Sequence, residues 1–506
     1  MSRLALAAGG GVLCFLGYVG FGLVPLIFVC LVPLLAAVRD AAPGRAFALG
    51  LLFGFAANLG GFYWLVHLFT VFAALSVPLA VAGYLLLSLY NGLVFGVAGW
   101  IVRRLARDAG VHPALGLALA LPAVELAFPH VFPNFLGNAL YRMPVLTQIV
   151  EVTGVPGLTA LVVLVNGALY ELAGALHGRR PVARAPVAVA LAAVVLCVGY
   201  GLARIPAVDR MAAAARTLTV ALVQTNLGAG EKSARAAEFL RRHQQMSVDA
   251  EARHERLDLV VWPESAYQGL VRRDAGNLGG VTAGIRAPVV FGVLSTDDAP
   301  DGRRRVYNSV VLTSPGGDVL GMFDKVEVLV FGESLPFVDT FPAIRRWFPH
   351  SSTFDRGTTL RHLRMPDGTS LLPMICYEDI LPAFVRAMWR AAGPADVLVN
   401  VTNDSWYGDT HEPRIHLALA SFRSIETRRA MIRSTNTGIS AIVDPVGRIV
   451  ARTGQWTRET LVARVPVIRD GPSPPYMRIG DAYGWLSGLA TAALLVRGRL
   501  RASGPR

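Results

Sequence analysis

Seven stretches of mostly apolar residues follow one another through the first 205 positions, and an eighth stands near the C-terminus. No other feature restricts the fold as tightly, because about 17–25 apolar residues suffice to cross a bilayer as a helix. The stretches lie near 4–20, 21–38, 46–69, 76–102, 113–129, 154–177, 185–204 and 482–496. The first two are short and adjoining, so a single re-entrant hairpin is the alternative to two spans. Composition points the same way: 53% of the residues are hydrophobic and 16% charged, against about a quarter charged in soluble chains. Mean hydropathy is +0.47.

The loops carry an orientation signal. Arg39 and Arg45 follow the second stretch, and Arg103, Arg104 and Arg107 the fourth. Arg179, Arg180 and Arg184 follow the sixth, and Arg497, Arg499 and Arg501 the eighth. Alternate loops hold almost no positive charge, Arg142 being the main exception. Basic loops stay in the cytoplasm, so both termini are expected there, and the long segment before the last stretch is expected outside. These clusters also account for much of the +13 formal charge. No aromatic–basic recognition motif accompanies them, so nucleic acid is not an expected partner. Arg3 and the apolar run after it fit a cleaved signal peptide, but further stretches follow at once and retention is expected. Leu13 before Cys14 argues against lipidation at that cysteine. The stretches hold few acidic groups, Glu125 being one, whereas transport pathways bury several.

Between the seventh and eighth stretches the pattern changes. Leu218–Thr225, Leu257–Trp262, Val289–Leu294, Tyr307–Thr313, Ser370–Cys376 and Asp396–Val401 read as short strands. Arg235–Arg256 and Pro382–Ala392 read as helices. Strands alternating with helices predict a layered α/β domain. The expected organisation is a transmembrane domain over 1–205 and an outward catalytic domain over 215–468. A linker over 469–481, a span over 482–496 and a basic cytoplasmic tail over 497–506 complete it.

Three strings in the α/β segment carry reactive groups. Glu264 follows Leu259-Val-Val-Trp-Pro, Lys325 follows Phe323-Asp, and Cys376 follows Met374-Ile. Side chains at strand ends of α/β domains gather at one rim, and a thiol, a base and a cation together make a covalent acyl-transfer site. Nearby positive charge lowers a thiol's pKa. Glu264 is suited to moving the thiol proton, and Lys325 to stabilising an oxyanion together with a backbone N–H after Cys376. Each has a plainer reading alone: an inert buried cysteine, a loop-capping glutamate, a solvated lysine. It is their combination, in the chain order Glu–Lys–Cys, that weighs against those readings. Lys325 is one of only two lysines, with Lys232, among 48 basic residues. Cys376 is the one cysteine outside the apolar runs that hold Cys14, Cys30 and Cys197. That leaves no disulfide partner and no zinc-like spacing, and neither a metal nor a cofactor is expected.

The order Glu–Lys–Cys resembles the nitrilase superfamily, and the flanking spans narrow the likeness to its membrane-embedded branch, the apolipoprotein N-acyltransferases. The likeness covers nearly the whole chain. It extends to Trp262-Pro-Glu264-Ser-Ala, Tyr307-Asn308, Phe331-Gly332-Glu333, Ile375-Cys376-Tyr377-Glu378, Asn403-Asp404-Ser-Trp406-Tyr-Gly408 and Arg433-Ser-Thr-Asn436-Thr-Gly438-Ile. The resemblance implies an α-β-β-α sandwich beside a polytopic helical domain in the bacterial inner membrane, with the sandwich on the periplasmic side. It implies Glu264 as general base, Lys325 as oxyanion stabiliser and Cys376 as nucleophile, supported by Glu333, Tyr377 and Glu378. The implied reaction moves an acyl chain from a phospholipid, phosphatidylethanolamine in the family, through a thioester. The acceptor is the amine of a diacylglyceryl-cysteine apolipoprotein. For Glu333 and Glu378 a structural hydrogen bond is the competing role. Two positions depart from the family: Val330 replaces a proline, which bears on loop rigidity, and Ser233 stands near a missing tryptophan, which bears on lipid contact.

A lipid donor needs an apolar path to the thiol. Phe331, Phe337, Phe341, Trp347, Phe348 and Phe354 load one outward loop with rings, which suits a membrane interface or an acyl-binding lid. Ordinary packing under a long loop is the alternative, and Trp406 and Tyr407 invite the same two readings. Gly332 and Gly357 are candidate hinges. A membrane-tethered amidase acting on a small amide and a catalytically dead lipoprotein-binding protein are the rival functions. The first leaves the spans and the aromatic loop unexplained, and the second would show degenerate strings.

Overall fold

The computed structural model describes residues 2–503 except 178–180, 229–230, 330–331, 335–339, 342, 344–345 and 347–353. The chain divides into two compact units. The first comprises Met1–Val66, Val77–Pro206 and Pro474–Arg506, and the second His67–Ser76 and Ala207–Ser473.

Apolar helices make up the first unit. Among the described residues, Val77–Ala109, Val155–Leu176 and Arg184–Ala214 are long and apolar enough to cross a membrane. Pro43–Gly61 with Leu65–Val71, bent by 60°, makes a fourth if the pair is one broken span. Arg3–Gly17, Val24–Val38 and Pro113–Ala127 are apolar but shorter. Among the described residues, helices that meet the length and composition of a span are therefore fewer than the eight apolar stretches, and 21–38 shows why. A 3-10 turn over Val24–Phe28 precedes the helix Leu31–Val38. Backbone groups freed by such a break need partners where water is absent. Asn166 supplies them, accepting from the Leu31 N–H at 2.8 Å and donating to the Ile27 carbonyl at 2.9 Å. Glu125 does similar work, accepting from the Leu136 N–H at 2.8 Å and the Thr159 hydroxyl at 2.7 Å. Helices Pro43–Gly61 and Val77–Ala109 approach through glycine: a Cβ on Gly50 would lie 2.2 Å from the Phe95 carbonyl oxygen. Small residues permit such backbone approach between membrane helices.

Among the described residues the second unit holds thirteen strands: β1 Arg216–Gln224, β2 Leu259–Val261, β3 Leu270–Arg272, β4 Val289–Asp298, β5 Arg304–Thr313, β6 Val319–Asp324, β7 Leu363–Arg364, β8 Ser370–Ile375, β9 Val397–Thr402, β10 Met431–Thr435, β11 Ala441–Val443, β12 Ile449–Arg452 and β13 Glu459–Val467. One sheet runs β13-β1-β2-β4-β5-β6 with β3 beside β4, the other β12-β11-β10-β9-β8-β7. The sheets face each other through β1 with β10 and β5 with β8. Helix Ala236–Arg253 covers β1 and β13, and helix Glu412–Thr427 packs on β10. This is the expected layered α/β sandwich.

A polar seam joins the layers at Gln224, which accepts from Ser440 Oγ at 2.8 Å and Thr453 Oγ1 at 2.9 Å. Apolar packing fills the rest of the first sheet's core around Trp262, Phe291 and Val311, all 0% exposed. The six expected strand runs and two expected helices are present, helix Pro382–Ala392 with the expected ends and the others with shifted ends. Strand β6 was read only from its end at Phe323-Asp-Lys325, and strands β3, β7 and β10–β13 and helix Glu412–Thr427 carried no sequence signal. That helix is buried on nearly every side, so it has no polar face to produce an amphipathic stripe.

Candidate active site

Strands β2 and β4 are parallel, and two antiparallel steps from β4 through β5 give β6 the same direction. Their C-terminal ends therefore share a rim. Glu264 lies three residues beyond β2, Lys325 directly beyond β6, and in the facing sheet Cys376 lies directly beyond β8.

Glu264, Lys325 and Glu333 meet there. Lys325 Nζ donates to Glu333 at 2.7 Å and lies 3.8 Å from Glu264 Oε1. Asn308, from β5, uses one nitrogen twice: its Nδ2 donates to Glu264 Oε1 at 2.7 Å and to Glu333 Oε1 at 2.9 Å. Glu333 also accepts from the Leu329 N–H at 2.9 Å. Burial works against the Lys325 ammonium, but the Glu333 carboxylate and then Glu264 outweigh it and hold the pKa above its ordinary value. With Lys325 1% and Glu264 6% exposed, little water screens these charges.

Cys376 is partly exposed and has φ +51°, a conformation rarely adopted by residues other than glycine and one that concentrates at functional sites. Ser265, next to Glu264, also has φ +51°. Burial pushes the Cys376 thiol well above its usual pKa, the Glu264 carboxylate pushes it further, and Lys325 opposes both. A thiol held up in this way needs a base to take its proton before it can act as a nucleophile.

Glu378 ties two strand ends together. Its carboxylate accepts from the N–H groups of Val326 at 2.8 Å, Glu327 at 3.0 Å and Ile375 at 2.8 Å. Burial pushes its pKa up to about 8. Tyr377 stands between Cys376 and Glu378, its phenol pushed up to about 12 by burial. Tyr407 is buried, and Trp406 meets Phe72 edge-on with ring centroids 4.9 Å apart. Phe72 belongs to His67–Ser76, a segment of the second unit that the sequence gives no reason to assign there.

Of the aromatic loop, Phe341 is 61% exposed. Phe331, Phe337, Trp347, Phe348 and Val330 lie outside the described residues. Gly357, read as a hinge, has a packing reason instead: a Cβ there would sit 2.2 Å from the Asp324 carbonyl oxygen.

One group among the described residues has metal-ligand spacing: single donor atoms of Asp404, Glu412 and His416 lie within 4.8 Å of one another. Both ring nitrogens of His416 already face carboxylates, Asp379 at 2.9 Å and Asp404 at 3.0 Å. An imidazole that donates from both nitrogens has no lone pair for a metal.

Sequence reading assigned no role to Asn308, Asn400, Asp379 or His416. Asn308 stood in the Tyr307-Asn308 string, where an amide on a central strand was the available signal. Asn400 Nδ2 donates to the Cys376 carbonyl at 3.3 Å, and an amide inside the apolar run Val397–Val401 was its only trace.

Residues 10–168 match the family model of the apolipoprotein N-acyltransferase N-terminal domain, and residues 219–469 that of carbon-nitrogen hydrolases. The apolipoprotein N-acyltransferase of Geobacter metallireducens is 31% identical over 504 residues, covering 97% of this chain and 94% of its own. That of Rhizobium rhizogenes is 31% identical, covering 89% and 87%. That of Sinorhizobium fredii is 33% identical, covering 86% and 82%.

Proposed function

The chain belongs to the apolipoprotein N-acyltransferase family, and we propose that Cys376 carries a fatty acyl group from a membrane phospholipid to the N-terminal amine of a diacylglyceryl-cysteine lipoprotein. The observation that carries this reading is the cluster of Glu264, Asn308, Glu333 and Lys325 beside a thiol that both Glu264 and Lys325 influence.

The cycle has two halves. Glu264 takes the thiol proton as Cys376 Sγ attacks the ester carbonyl, and the Lys325 ammonium stabilises the oxyanion. Collapse breaks the ester C–O bond, Glu264 returns the proton to the departing alkoxide, and lysophospholipid leaves. The lipoprotein amine then attacks the thioester and gives a proton to Glu264. The C–S bond breaks, an amide remains on the lipoprotein, and the thiol is restored. Glu333 and Asn308 hold Glu264 and Lys325 in place throughout, and Glu378 fixes the two strand ends. Nothing in this cycle calls for a metal or a nucleotide.

The donor we assign is the sn-1 chain of phosphatidylethanolamine. Loop charge supports a catalytic unit on the periplasmic side, with both termini in the cytoplasm. The test uses detergent-purified full-length protein, phosphatidylethanolamine labelled in its sn-1 chain, and a diacylglyceryl-cysteine peptide. Label should appear as an amide on the peptide. Label released solely as free fatty acid, or ammonia released from small amides without lipid transfer, would contradict the reading.

A further inference from the structure

Next to the nucleophile lies a second set of charges that the cycle above does not use. Asp379, Asp404 and Arg433 are 0% exposed and His416 5%. Together they close a ring. Arg433 Nη1 donates to Asp379 Oδ2, and Asp379 Oδ1 faces His416 Nε2 at 2.9 Å. His416 Nδ1 faces Asp404 Oδ1 at 3.0 Å, and Asp404 Oδ2 accepts from Arg433 Nη2 at 3.3 Å.

The geometry suits a doubly protonated histidine, since both ring nitrogens face carboxylate oxygens. A neutral imidazole would turn one nitrogen lone pair toward a carboxylate oxygen, whereas the imidazolium donates from both nitrogens. Two cations then balance two anions. The groups facing His416 are Asp379 from the turn after β8, Asp404 from the turn after β9, Arg433 from β10 and Glu412 from its own helix.

Two connections join the ring to Cys376. Asp379 belongs to the same 3-10 turn, Cys376–Ile380. Arg433 Nη1 also donates to Asn400 Oδ1 at 3.0 Å, and Asn400 Nδ2 donates to the carbonyls of Cys376 at 3.3 Å and Met374 at 3.4 Å. The residue at 438 is constrained as well, since a Cβ on Gly438 would lie 2.1 Å from Asp404 Oδ2.

We propose that this closed ring is a positioning device for the acyl-transfer reaction, in which a buried His416 imidazolium and Arg433 hold Asp379 and Asp404 so that Cys376 keeps its left-handed turn and its aim. The proposal rests on Cys376 being the nucleophile. His416 and Arg433 are positioning residues that act through the turn and through Asn400.

The test has two arms. The first is the nitrogen NMR spectrum of histidine-labelled wild-type protein at pH 8, where ordinary histidines are neutral. One imidazole protonated at both nitrogens is expected there, and its resonances should vanish in His416→Gln. Absence of any doubly protonated imidazole overturns the proposal, whether or not the variant folds.

The second arm measures single-turnover acylation and the pH profile of Cys376 alkylation on folded His416→Gln. Acylation should fall about 100-fold, the cost of a misplaced reacting group, and the alkylation profile should shift. A folded variant with both unchanged and only a lower melting temperature overturns the proposal. Wild-type acylation is the control that separates the two readings. No acyl-enzyme in wild type defeats the Cys376 mechanism, whereas a normal acyl-enzyme with neutral His416 defeats the ring alone.

Discussion

Two charged clusters flank the Cys376 turn, and they differ in balance. The Lys325 cluster sets one ammonium against two carboxylates, Glu264 and Glu333. The Arg433 ring sets two cations against two carboxylates. Buried ion pairs hold geometry when every charge has a partner, and removing one partner leaves an uncompensated charge. A balanced ring has no net charge to attract a further proton, which suits it to support. The Lys325 cluster carries excess negative charge beside a thiol whose pKa is already pushed upward, which suits the proposed passage of a proton from sulfur to Glu264 as the sulfur attacks. On the two proposals the contrast divides the labour: imbalance for proton transfer, balance for alignment.

The largest effect should come from removing the lone cation. Lys325→Met leaves two carboxylates facing each other without an oxyanion partner, and acyl-enzyme formation should fall about 10²–10³-fold in single-turnover assays. Lys325→Arg should not restore it, because a planar fork does not replace a compact ammonium. A loss below tenfold in Lys325→Met would mean that the imbalance has no catalytic role.

A smaller effect is expected from Asn308→Ala. One nitrogen then no longer holds both glutamates, and a hydrogen bond to a charged group contributes about 1.5–3 kcal/mol, so the rate should drop roughly 10–100-fold. Single-turnover acylation measures the drop, and a rate within about twofold of wild type would remove Asn308 from the account.

The smallest effect concerns stability and tests the balanced side. Burial and Arg433 disfavour the His416 imidazolium, but Asp379 and Asp404 outweigh them and hold its pKa at about 10, above the ordinary 6.5. A folded-state pKa raised in this way contributes stability that is fully present below about pH 6.5 and is lost as pH approaches about 10. The wild-type melting temperature should therefore decline over that window, and the decline should flatten in His416→Gln. Equal slopes in the two proteins would show that the histidine is not held charged by the ring.

Sequence made the candidate trio legible for a physical reason: Glu264, Lys325 and Cys376 interrupt or end strongly apolar strands, where a reactive group is conspicuous. Apolar stretches revealed the helical unit but not helix lengths, because the break before Leu31 depends on Asn166, 135 residues away. The Arg433 ring was illegible for the same reason. Its linked members lie 54, 37, 29 and 12 residues apart along the chain, and no local pattern links them. His416 was hidden further by a helix without an exposed stripe. Asn308 was visible as a letter in a motif, but its double use of one nitrogen is a fact of three dimensions.

The central claim is that Cys376 is acylated and that Glu264 accepts its proton, and an intact-mass time course with phosphatidylethanolamine tests it most directly. Wild-type protein should gain one acyl mass, located at Cys376 and discharged by a diacylglyceryl-cysteine peptide. Cys376→Ala should gain none, and Glu264→Gln should gain it at least about 100-fold more slowly. An adduct that persists in Cys376→Ala, or a Glu264→Gln rate equal to wild type, would contradict the account.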